Sequence, residues 1–125
     1  MRFMMMVKHA ENQGAPPTGF IEEMTKLGEE AAKSGAMIIS GGLAATAKST
    51  RVRLSGGQVK ALDGPFTEAK EVVGGFAIFE MGSQREAIDS AVNFMELHKK
   101  FWPGWEGETE VRQLIGPEEA FPKAK

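Results

Sequence analysis

The stretch ALDGPFTEAKEVVGGFAIFEM, Ala61–Met81, sets a breaker cluster and a charged turn between two apolar runs, and its reading decides how the chain is layered. Asp63-Gly64 favours a tight turn, Pro65 fixes its own φ and pushes Gly64 out of helical geometry, and Phe66 anchors the corner in apolar surroundings. Thr67 is placed to cap the short EAKE turn. After Gly74 and Gly75, Phe76 and Ile78 alternate with Ala77, Phe79 and Met81, so the following strand is apolar on both faces. Such a strand needs cover on both sides.

Upstream, TRVRLSGGQVKAL sets Val52 and Leu54 against Arg51 and Arg53 and turns at Gly56-Gly57, the pattern of a hairpin with one wet face. At the start of the chain, RFMMMVK is a second run apolar on both faces. HAENQGAPP then breaks it, leaving His9 in a solvated loop. Thr18 is placed to cap a helix with Phe20, Ile21, Met24, Leu27, Ala31 and Ala32 at helical spacing, and Gly35 ends it. AMIISGGL reads as a strand. Ser83 and Glu86 form a capping box for a second helix with the stripe Ile88, Ala91, Val92 and Met95. FWPGWEGE is a turn, TEVRQLI a last strand, and residues 117–125 a polar tail.

The order strand, helix, strand, hairpin, strand, helix, strand packs most economically as a ferredoxin-like α+β layer, an antiparallel sheet with both helices on one face. The other face would then present Met and Phe to water, a larger apolar patch than a soluble monomer tolerates. A second copy covering it makes a homodimer, and eight methionines suit an adaptable interface or pocket wall.

Bulk composition narrows the function. The length of 125 residues suits one domain, 1–125. A net charge of −2 gives no pull toward nucleic acid, and GGFAIF, though it faintly echoes an RNA-binding strand, lacks flanking basic residues. The absence of cysteine removes thiol nucleophiles and thiolate metal sites and points to the cytoplasm. FMMMV is too short for a signal peptide, and no stretch approaches a membrane span. Two distant histidines make no metal set, and the glycine pairs lack the spacing and lysine of a phosphate loop, so neither metal nor cofactor is expected.

The candidate chemistry is proton transfer. His98 sits on the flank of the second helix's stripe, where it either shuttles protons into a cleft or bonds a helix-end carbonyl. Asp63 is either a corner residue or a partner acid for His98. Arg112 either holds a carboxylate or enolate or pairs with Glu110. Phe66, Lys70, Trp102 and Trp105 complete the binding candidates, with Lys70 also readable as part of a solvated turn and the tryptophans as cover for apolar surface.

Asp63-Gly64-Pro65-Phe66, followed by Glu68, Lys70, Glu71, Gly74 and Gly75, resembles the signature of the YCII-related family in its DGPF-domain branch. SGGL, TRVRLSGG and FWPGWEGETEVRQL sit where that branch has similar strings, so the resemblance runs to about Ile115. It implies a ferredoxin-like fold dimerised through its sheets into an α+β barrel with a cleft on each protomer. It also implies a choice between a small-molecule enzyme with lyase- or isomerase-like proton transfer and a non-catalytic ligand-binding module associated with an extracytoplasmic-function sigma factor. Short YCII-type relatives use a His-Asp pair with the histidine near the start of the first helix. Residues 18–20 here read TGF, so that dyad is not carried over.

Overall fold

The computed structural model describes residues 1–123. Six strands and two long helices follow the expected order: β1 Arg2–His9, α1 Thr18–Ser34, β2 Met37–Gly42, β3 Thr50–Ser55, β4 Gln58–Asp63, β5 Val72–Glu80, α2 Gln84–Phe101 and β6 Gly107–Leu114. A 3-10 turn at Thr46–Lys48 and a one-turn helix α3, Pro117–Ala120, complete it. That short helix stands where a plain polar tail was expected, and the tail's last two positions lie outside the described residues.

Strands β2, β5, β1 and β6 form one antiparallel sheet in that order, so β1 and β5, the two runs apolar on both faces, are the inner pair. The fold is thus α+β, an antiparallel sheet with two helices. The sheet is open, ending at β2 and β6. On one face, Phe3 and Met5 are buried with Ala87 and Ala91 of α2, and Phe79, Met81 and Val111 pack around them. Alternation turns Met4 and Met6 to the opposite face, next to Ile78 and Phe76 on β5. These four are half-buried, and Lys8, Glu110 and Arg112 on the same face tie β1 to β6, with Lys8 Nζ 2.5 Å from Glu110.

The helix ends show where local chemistry set the boundaries. Ser83 Oγ accepts the Glu86 N–H at 3.1 Å, as a capping box requires, while the Glu86 carboxylate reaches one residue further back and accepts the Gly82 N–H at 2.9 Å. Thr18 is the first helical residue and not the cap. Pro17 takes that place and contributes no side-chain bond. Gly35 closes α1 as expected, its N–H bonded to the Ala32 carbonyl.

Strands β3 and β4 pair only with each other among the described residues. Their turn has Gly56 and Gly57 at φ of 59° and 76°, the left-handed pair a two-residue hairpin needs. Val52 pairs with Ala61 and Leu54 with Val59, so one hairpin face is apolar. That face is bare: Val52, Leu54 and Val59 are 71%, 72% and 69% exposed.

Candidate functional site

The Asp63–Phe66 corner is a fastening. Glu11 in the β1–α1 loop accepts the backbone N–H of Thr46 at 2.9 Å and its hydroxyl as well. The Thr46 hydroxyl in turn accepts the Phe66 N–H at 3.2 Å, and the Gly64 N–H donates to the Ser49 carbonyl at 2.8 Å. The Gly64–Pro65 peptide is cis. Phe66 is buried, with the Arg51 guanidinium 3.8 Å from its ring centre and bonded to Glu68 at 2.9 Å. The bonds from Thr46 hold the Glu11 carboxyl below the ordinary carboxylate value. The EAKE segment makes a turn in which the Ala69 N–H bonds the Phe66 carbonyl, without the Thr67 cap.

Asp63 belongs to this fastening. Its carboxylate accepts the hydroxyl of its cross-strand partner Thr50 at 2.9 Å, a contact that closes the hairpin base. Of its two readings, corner residue and partner acid for His98, this bond fits the corner.

A cleft of about 530 Å³ opens between the sheet and the two helices. Its floor comes from β1 and β5 and its walls from Phe20, Met24 and Leu27 of α1 and Phe94 and His98 of α2, with Trp102 and Trp105 beyond the helix end. Helical spacing brings Phe94 and His98 onto one face one turn apart. His98 is only 5% exposed. Its Nδ1 lies 2.9 Å from the Phe94 carbonyl oxygen. A carbonyl only accepts, so Nδ1 carries the hydrogen and Nε2 of the neutral ring keeps its lone pair. Phe20, Phe94 and Trp105 surround the imidazole with ring centres 4.7, 4.6 and 4.5 Å away. Burial pushes His98 below its ordinary 6.5, the bond to Phe94 opposes this, and repulsion from His9 adds to it.

A second, open depression of about 1120 Å³ is lined by Trp105 and His98 together with Lys70, Glu71, Gln13 and Glu108. Thr109 also borders it, and its hydroxyl oxygen is shut from solvent without a hydrogen-bond partner. Both depressions therefore share His98 and Trp105.

The candidate residues divide into three environments. His98, Trp102 and Trp105 meet at the cleft, and Lys70 reaches the open depression beside it. Asp63 and Phe66 sit at the hairpin corner and line neither cavity. Arg112 is on the open sheet face, exposed and paired with Glu110, the pairing that its neighbour in sequence suggested. The Lys8 bond is the main reason the Glu110 carboxyl lies below its ordinary value.

His9 is the site residue that sequence reading misplaced. β1 runs to His9, one residue past the apolar run, so His9 shares the face of Phe3, Met5 and Val7 and is half-buried in the cleft. Its ring centre is 6.0 Å from that of Trp105, and its Nδ1 is 2.8 Å from the Ala10 carbonyl oxygen. The register along β5 slips between Val7 and Lys8, which pair with Gly75 and Val73 and leave Gly74 as the bulged residue. A Cβ on Gly74 would land on Nε2 of His9, so the bulge glycine leaves the volume that the imidazole fills. Two-residue alternation counted on from Phe3 was the signal that could have placed it.

Among the described residues, no group of three or more His, Asp or Glu side chains could hold a metal ion, and no helix is long and apolar enough to cross a membrane. Comparison with curated proteins gave no match. The family model of the YCII-related domain matches residues 1–94, which takes in the sheet through β5, the hairpin corner and the first part of α2 and stops one helical turn short of His98. The chain belongs to the YCII-related domain family.

Proposed function

We propose that the chain is a small-molecule-binding domain that works as a homodimer, with its ligand in the cleft against His98 and Nε2 of His98 taking a proton from it. The observation that carries this reading is the tautomer of His98. With Nδ1–H committed to Phe94, the ring keeps an unprotonated Nε2 in a side chain that is only 5% exposed, and burial keeps it unprotonated at neutral pH. The motif Asp63-Gly64-Pro65-Phe66 supports membership of the DGPF branch. The second copy covers the face of Met4, Met6, Phe76 and Ile78 and the hairpin residues Val52, Leu54 and Val59, closing the two open sheets into an α+β barrel.

Thermal-shift screening of a library of ring-bearing metabolites tests the site. Compounds that raise the melting temperature of the wild type lose the effect in H98Q, and hits that stabilise both proteins equally overturn the assignment. A second reading, ligand binding without turnover in a regulatory dimer of the sigma-factor-associated kind, is favoured by one observation: Asp63, His98 and Arg112 occupy separate environments within the protomer. Hits recovered chemically unchanged after prolonged incubation select that reading.

A further inference from the structure

We propose that the cleft takes an elongated, uncharged molecule with a ring at one end and an amide or hydroxyl group at the other. Its ring lies among the aromatic side chains around His98, and its polar end meets Ser90 and Ser40 in the gap left by Gly28. This rests on reading the cleft as the ligand site and adds what kind of molecule it takes and which way round.

The helices give the direction. β1 and β5 are antiparallel, so α1 and α2, which follow them, run in opposite directions. Phe20, near the start of α1, has its ring centre 4.7 Å from that of His98, near the end of α2. Gly28 lies eight residues on from Phe20 and Ser90 eight residues back from His98, so the helical rise puts both roughly 12 Å along the cleft from that contact.

The two ends differ in chemistry. Phe20, Phe94, Trp102 and Trp105 wall the His98 end, where a planar ring gains offset or edge-to-face packing. Ser90 on α2 and Ser40 on β2 line the other end, with exposed Asn93 one turn on from Ser90. Ser40 is in register with Ala77 and Met5 across the sheet, and Met5 is buried with Ala87 and Ala91, which flank Ser90 along α2. Among the described residues, the side chains of Ser40, Ser90 and Asn93 make no hydrogen bond, so their hydroxyls and amide are free to donate and accept. His9 is taken up by the fold instead, with Nδ1 2.8 Å from the Ala10 carbonyl oxygen and Nε2 over Gly74.

Gly28 marks the space. A glycine inside a helix is less stable than an alanine, and no atom of the chain lies within 4 Å of where its Cβ would sit. The chain's own packing does not call for it, whereas a ligand lying against the α1 backbone does. No Asp, Glu, Lys or Arg lines the cleft, so an ionised ligand would leave water without a counter-ion to meet it.

The test uses the full chain with ω-phenylhexanamide, its ionised counterpart ω-phenylhexanoate, and benzamide, which is too short to reach Ser90 from the aromatic end. Binding is read by calorimetry and by indole emission, since both tryptophans border the cleft. The long amide should bind about tenfold more tightly than the carboxylate. S90A should bind the amide about fivefold more weakly, the equivalent of one lost hydrogen bond. G28A, whose methyl enters the gap, should bind it about tenfold more weakly although its helix is the more stable, so the loss is not one of folding. Benzamide should bind wild type, S90A and G28A alike. The carboxylate binding as tightly as the amide overturns the uncharged class. S90A or G28A binding the amide as tightly as wild type overturns the placement of the polar end, while the cleft reading stands. If no probe changes the indole emission, the cleft itself is not the ligand site.

Discussion

His98 and Phe94 are joined through one helical turn of α2, the imidazole donating Nδ1–H to the main-chain oxygen at 2.9 Å. The bond fixes the ring where water hardly reaches it, so the folded protein holds the imidazole neutral below the pH at which an unfolded chain would protonate it.

The sign of the pH effect follows. His98 has a depressed folded value, so as pH falls below about 6.5 the unfolded state takes up a proton first and stability declines until the folded value is passed. The slope for one group is bounded at about 1.4 kcal/mol per pH unit. Urea unfolding should show lower stability at pH 5.5 than at pH 7.5, and H98Q should remove that part of the decline. The bonded carboxyls of Glu11 and Glu110 act below their ordinary 4.5, which separates their contribution from that of His98. Equal slopes between pH 7.5 and 5.5 in wild type and H98Q would contradict the burial argument.

Gly64 and Gly28 should respond oppositely to alanine. At Gly64 a Cβ would fall on the Thr46 carbonyl oxygen, a backbone atom held by its own turn, so G64A should cost roughly 2–4 kcal/mol through displacement of the corner. At Gly28, inside α1, a Cβ meets nothing within 4 Å, and G28A should stabilise by about 1 kcal/mol through helix propensity. Denaturant midpoints of the two variants provide the comparison, and a tolerated G64A would mean that the corner is not packed as described.

The dimer is testable by size. Wild type should sediment as a dimer at micromolar concentration. I78K on the open sheet face and L54K on the hairpin, where the wild-type side chain is 72% exposed, should each shift it to monomer without loss of helical signal. A wild-type protein that stays monomeric at that concentration removes the proposed assembly.

The strand order was readable because Met4 and Met6 of β1 and Phe76 and Ile78 of β5 break the usual polar alternation, marking those strands as the central pair. The second helix was readable because Ser83 and Glu86 carry a capping signature in their spacing. The site was read unevenly. His98 was placed on the flank of a stripe that included Val92, whereas Val92 is exposed and the buried line of α2 runs through Ala87, Ala91 and His98. Asp63 and Arg112 were grouped with it on chemistry, and chemistry alone does not say which face of a strand or which end of a hairpin a residue takes. His9 was passed over because the strand was ended at Lys8, although hydrogen bonding carries it one residue further. A bulge is set by spacing between chains of atoms distant in sequence, and Gly74 beside Gly75 gives no local sign of which one has lost its partner.

Trp102 and Trp105 are the only tryptophans in the chain, there is no tyrosine, and both indoles border the cleft. The native ultraviolet emission of the whole molecule therefore arises at one place, and the hairpin and the outer sheet face are optically silent. A spectrofluorimeter watching this protein unfold follows the cleft alone, and any interval between its transition and that seen by circular dichroism separates the fate of that pocket from the fate of the scaffold.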